Sequence, residues 1–147
     1  MAKEPGVAKK LFLDAAYAIA LSSPADQFHA AAVALAEGLE ASGASLVTTP
    51  AVLLEIGNAL AKRQHRRAAA RLLSSLCPDP TVEIVPFSHE LFDQALRLFS
   101  TRQDKDWGLT DCLSFVVMKE HGINQALTTD EHFQQAGFII LLRGPVL

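Results

Sequence analysis

"LFLDAAYAIAL", residues 11–21, contains a single charge, Asp14, at the end of what reads as a short buried strand. A carboxylate among apolar residues is costly unless it is hydrogen-bonded, paired or bound to a cation. Asp14 therefore marks a strand end with a purpose, and the segments downstream repeat the pattern. Residues 24–26, Pro-Ala-Asp, open an alanine-rich helix expected over 26–41, with Gly43 behind it. "SLVTT", residues 45–49, reads as a second strand. Thr49-Pro50 has the chemistry of a helix start, a capping hydroxyl followed by proline in the first turn. That helix is expected to run to about residue 63, with another over 66–76 that "CPDP" ends.

"TVEIVP", residues 81–86, alternates and is β-branched, as a third strand requires. Ser88 is expected to cap a helix to about residue 99, and residues 100–108 form a polar loop. Thr110 is expected to cap a helix over 111–121. Residues 124–130 hold a fourth strand, 131–135 a short helix that Gly137 stops, and 138–142 a last strand. Short apolar strands alternating with helices predict a three-layer α/β fold, a central, mostly parallel sheet of about five strands flanked by helices. Ligands of such sheets bind beyond the carboxyl ends of the strands. Asp14 and Asp130 fall at that edge if their strands are neighbours.

The 147 residues, half of them hydrophobic, suffice for one domain with a core of its own. Residues 1–10 are read as a flexible terminus and 11–147 as a single domain. No apolar run approaches the roughly 20 residues of a membrane span. Lysines followed by apolar residues near the start resemble a signal peptide only until Asp14 interrupts them without a clear cleavage site. A cytoplasmic protein is expected. Cys77 and Cys112 share no metal-ligand spacing and are read as free thiols. The net charge of −3 makes nucleic-acid binding depend on a local basic patch.

Two more acids stand in unusual places. Glu55 is alone on an apolar helical turn in "PAVLLEIGNALAKR", and Asp111 opens the very apolar "DCLSFVVM". Each of the four, taken singly, can be a cap or a solvated side chain. Together at one sheet edge they would repel one another unless a cation were present. Hard oxygen donors in that number suit Mg²⁺ or Mn²⁺, which polarise a phosphoryl oxygen and activate water.

These segments resemble the PIN-domain family of metal-dependent ribonucleases, which includes the VapC toxins of toxin–antitoxin pairs. "FLDAAYAIAL", "TTPAVLLEIGNALAKR", "DKDWGLTDCLSFVVMKE" and "ALTTDEHFQQAGF" match its four acidic motifs in order, over residues 11–142. The resemblance implies that Asp14, Glu55, Asp111 and Asp130 form the metal and catalytic site. It implies that Asn58, Asp106, Ser114 and Thr128 support those carboxylates. It also implies hydrolysis of RNA phosphodiester bonds, a cognate antitoxin that blocks the site, and a homodimer. Ala15-Ala16 departs from the family, where many relatives carry a hydroxyl residue.

"AKRQHRRAAARLL", residues 61–73, is the one dense basic stretch, with Lys62, Arg63, Arg66, Arg67 and Arg71. It is either a solvated helix face or a contact for RNA phosphates. Trp107 is read as packing the loop before Asp111, with base stacking the alternative. The histidines are scattered; among them His132, beside Asp130, is placed best to touch substrate. A PIN domain that binds RNA or a partner without cutting would carry the same ligands, and a metal-dependent cleavage assay separates the two. A phosphoacceptor receiver-like domain fits poorly, because it would need adjacent acids after the first strand.

Overall fold

A computed structural model describes residues 9–143. Residues 1–8, most of the expected flexible terminus, and residues 144–147 lie outside the described residues. The order is β1 (Lys10–Leu13), α1 (Ala15–Ser22), α2 (His29–Ser42), β2 (Ser45–Thr48), α3 (Pro50–Ala59), α4 (Arg63–Leu76), β3 (Val82–Ile84), α5 (His89–Thr101), α6 (Leu109–Glu120), β4 (Gln125–Leu127), α7 (Glu131–Gln135) and β5 (Ile139–Ile140).

The five strands form one sheet in the order β3-β2-β1-β4-β5. Every pairing is parallel, so the expected mostly parallel sheet is parallel throughout. The chain winds outward from β1 through β2 to β3, then returns to the other side of β1 for β4 and β5. Parallel crossovers are right-handed as a rule, which with this strand order sends the helices of the two halves to opposite faces. The helices pack accordingly: α1 touches α2, α3 and α4, while α6 touches α5 and α7. The strand order reverses between β1 and β4, and the crevice at their carboxyl ends is where such sheets take ligands.

Strand residues buried on both faces explain the short apolar runs. Leu11, Phe12, Leu13, Val47, Ala126 and Leu127 are all buried. Phe12 and Phe115 both meet the ring of Phe133, at centroid distances of 6.1 and 5.0 Å. Trp107 stacks edge-on against Phe115 at 5.1 Å, and its indole N–H donates to Gln135 Oε1 at 3.0 Å. It is a buried packing residue that ties the loop before α6 to α7.

Several elements differ from those expected. Residues 15–22, to which the sequence pattern assigned no element, form α1; "AAYAIAL" is apolar on every side, which hides a helical period. Helix α2 begins at His29, because Asp26 spends its carboxylate on a turn, accepting from the Phe28 N–H at 2.8 Å. Helix α3 ends at Ala59 and α4 already starts at Arg63, with Lys62 extended at the break. Helix α6 starts at Leu109 with Gly108 as its cap residue, so Thr110 lies inside the helix and does not cap it. Asp111 serves that end instead, its Oδ2 accepting from the Gly108 N–H at 3.1 Å. The caps expected at Thr49 and Ser88 are present, each hydroxyl accepting an N–H three residues on.

Candidate metal centre

Asp14 leaves the end of β1 and is buried. Its backbone N–H donates to the Leu127 carbonyl at 3.3 Å, so the ends of β1 and β4 are joined at that residue. Its Oδ2 accepts from the Thr128 hydroxyl at 2.6 Å, and the same hydroxyl oxygen accepts from the Asp130 N–H at 3.0 Å. One side chain thus positions two acids. On the other flank, the Thr48 hydroxyl donates to the Leu13 carbonyl at 2.8 Å and holds β2 level with β1. Among the described residues, the hydroxyl that bonds Asp14 comes from Thr128, just past β4.

Burial pushes the Asp14 carboxyl up to about 6, and the charges of Asp111 and Asp130 add to it, against the Thr128 bond and a backbone bond that favour the ion. Glu55 projects from α3, reaching solvent on one side and the acids on the other. Loss of water, followed by the charges of Asp14, Asp111 and Asp130, pushes it up to about 7. Four elements therefore bring their carboxylates into one negative field, as the like-charge argument requires.

Asp111 and Asp130 meet through a residue that the sequence pattern did not single out as a ligand. Asp130 caps α7, its Oδ1 accepting from the His132 N–H at 2.9 Å. That turn brings the His132 ring back so that Nδ1 donates to Asp111 Oδ2 at 3.1 Å and lies 3.5 Å from Asp130 Oδ1. These acids, together with Asp106, raise the imidazole pKa against its desolvation. One donor atom each from Asp111, Asp130 and His132 falls within 4.8 Å of the others. The signal in the sequence was a histidine two residues after an acid at a helix start.

The remaining expected residues are placed variously. Ser114 is buried and donates to the Thr110 carbonyl at 3.0 Å, shaping the turn that presents Asp111 rather than touching a carboxylate. Asp106 is exposed in the preceding loop, near enough for its charge to act on His132. Asn58 is exposed on α3, with no hydrogen bond to the acids among the described residues. Lys62, Arg63, Arg66, Arg67 and Arg71 are exposed at or along α4, and none is in a salt bridge among the described residues. Helix α4 packs on α3, the helix that carries Glu55.

The donor set is oxygen-rich, with one imidazole nitrogen at its rim, and its unneutralised carboxylates fit a divalent cation.

This fold, with acids at the ends of β1 and β4 and on α3 and α6, defines a class: the PIN domain matches residues 11–139, and the chain belongs to that family. The 23S rRNA-specific endonuclease VapC20 of Mycobacterium tuberculosis, in two strains, is 31% identical over 131 residues, covering 88% of this chain and 95% of the relative. The crystal structure of M. tuberculosis VapC20, described as a sarcin-ricin loop cleaving toxin, superposes with a TM-score of 0.78 at 26% identity, over 92% of this chain and 99% of that one. PAE2754 from Pyrobaculum aerophilum shares the fold, with a TM-score of 0.59 at 18% identity, covering 91% of this chain and 90% of its own.

Proposed function

We propose that this chain is a metal-dependent endoribonuclease of the VapC toxin type, using Mg²⁺ or Mn²⁺ held by Asp14, Glu55, Asp111 and Asp130. The observation that carries the reading is the convergence of these acids at the crevice between β1 and β4, with two carboxyls pushed up to about 6 and about 7. A bound divalent cation supplies Lewis-acid polarisation of a phosphoryl oxygen and makes water acidic enough to attack near neutral pH.

The protein supplies rigidity and placement. Thr128 fixes Asp14 and the turn of Asp130, while the Gly108 N–H and His132 fix Asp111. Glu55, Asn58 and Asp106 border the site from the solvent side, where an RNA strand enters. Helix α4 offers its free cations to phosphates beside Glu55, offsetting the repulsion between RNA and the acids. The similarity to VapC20 favours ribosomal RNA as substrate; the family resemblance adds a cognate antitoxin that covers the acidic crevice, a homodimer and action in the cytoplasm. No helix among the described residues is long and apolar enough to cross a membrane.

The test is cleavage of purified ribosomal RNA by the isolated protein. Discrete cuts are expected with Mn²⁺ or Mg²⁺ and none in excess chelator. Discrete cutting that persists in chelator would refute the metal-dependent reading.

A further inference from the structure

The four-acid scheme uses His132 only to hold Asp111, yet its Nδ1 sits among the same donor atoms. The ring is anchored twice, by the α7 turn that Asp130 caps and by the bond to Asp111. Nδ1 lies 3.1 Å from Asp111 Oδ2 and 3.5 Å from Asp130 Oδ1. Neighbouring donors around one small divalent ion, with bonds of about 2.1 Å, stand about 3 Å apart. Nδ1 thus stands from each acid about as two ligands of one ion stand from each other, and one oxygen of each acid falls within 4.8 Å of the other. A shell of carboxylates alone does not need a nitrogen there.

We infer that His132 Nδ1 is a nitrogen ligand of the cation in this site and that it biases the site toward Mn²⁺ over Mg²⁺. The inference rests on the metal-dependent reading above. In the structure Nδ1 donates its hydrogen toward Asp111. A cation seated among the three atoms takes that hydrogen's place, and the imidazole carries its hydrogen on Nε2. The selectivity follows from donor chemistry. Mg²⁺ holds its waters tightly and is satisfied by one or two carboxylates. A first-row transition ion gains from exchanging water for imidazole, and such ions are told apart by donor type and geometry more than by charge. His132 is therefore expected to matter for Mn²⁺ and hardly at all for Mg²⁺.

A ligand role differs measurably from the other role open to this side chain, that of a hydrogen-bond donor that only orients Asp111. An orienting donor would affect both cations alike and would put no nitrogen on the ion. No other histidine among the described residues belongs to a group of donors spaced for an ion, so a histidine signal at the metal reports on His132 alone.

The experiment is pulsed electron paramagnetic resonance of the full chain loaded with Mn²⁺, with and without ¹⁵N-histidine labelling. Direct ¹⁴N coupling is expected in the unlabelled protein, is replaced by ¹⁵N coupling on labelling, and is lost in His132→Ala. Titration calorimetry with each cation alone gives the second readout. His132→Ala is expected to lower Mn²⁺ affinity about 10-fold or more and Mg²⁺ affinity by no more than about threefold. Bound Mn²⁺ without histidine coupling, or equal losses for both cations, would overturn the inference and leave the carboxylate site intact. Failure of the wild-type chain to bind Mn²⁺ at all would overturn the site and the inference together. The labelled wild-type measurement needs no variant, so it decides the matter even if His132→Ala folds poorly.

Discussion

Asp14 is held by one hydroxyl, in a place where its ionisation works against the fold. Its carboxyl is pushed up to about 6, chiefly by burial, and that of Glu55 to about 7. Both folded values lie above those of the unfolded chain. Between about pH 4 and about pH 7 the folded chain therefore binds more protons, and stability falls as pH rises through that window. In chelator, the melting temperature is expected to drop from about pH 4 to about pH 7, with Asp14 responsible for up to about 3 kcal/mol over that whole window. Asp14→Asn keeps an acceptor for the Thr128 hydroxyl and removes the charge, so it should flatten the slope. Saturating Mn²⁺ should reverse the loss in the wild type, because a cation that binds only the folded chain stabilises it. A melting temperature that rises with pH in chelator would contradict the assigned burial. At this scale the acids were legible because each charge stood in an apolar context. His132 was not recognised as part of the cluster, because its contact with Asp111 joins residues 21 apart and depends on where α6 and α7 pack.

Helix α4 is the element on which the proposed substrate contact turns. Its cations are exposed and free of salt bridges among the described residues, and it lies against the helix of Glu55. Replacing Arg66, Arg67 and Arg71 by alanine should leave the fold intact, since exposed charges contribute little to stability. RNA affinity should fall, and the slope of log affinity against log salt should lessen by about 2 if three single-strand phosphate contacts are lost. An unchanged slope would make α4 a solvated face and nothing more. Elements were legible where a pattern switched. The strands stood out as short apolar runs, and α3 and α5 announced themselves by Thr49 and Ser88. Helix α1 was hidden because its residues are apolar on all sides, and the start of α6 was misplaced because a side chain at the third helical position, Asp111, does the work expected of Thr110.

Across the whole molecule, the placement of β1 between β2 and β4 brings the acids of four distant motifs near enough for their charges to act on one another. Alternating strands and helices made the parallel sheet legible, but strand order is set by which crossovers pack, and no local pattern encodes it. The neighbouring of β1 and β4 was an assumption from sequence and is a finding of the structure. The residue pattern already set Glu55 beside the three aspartates at one edge, and the family resemblance supplied their shared role as ligands. The central claim is that this edge is a metal-dependent ribonuclease site, and Asp111→Asn tests it most directly. Asparagine retains an acceptor for the Gly108 N–H, so the start of α6 should hold. Ribosomal RNA cleavage in Mn²⁺ should fall at least about 100-fold while RNA binding persists, because the cation loses a ligand. Cleavage by Asp111→Asn at the wild-type rate would contradict the account.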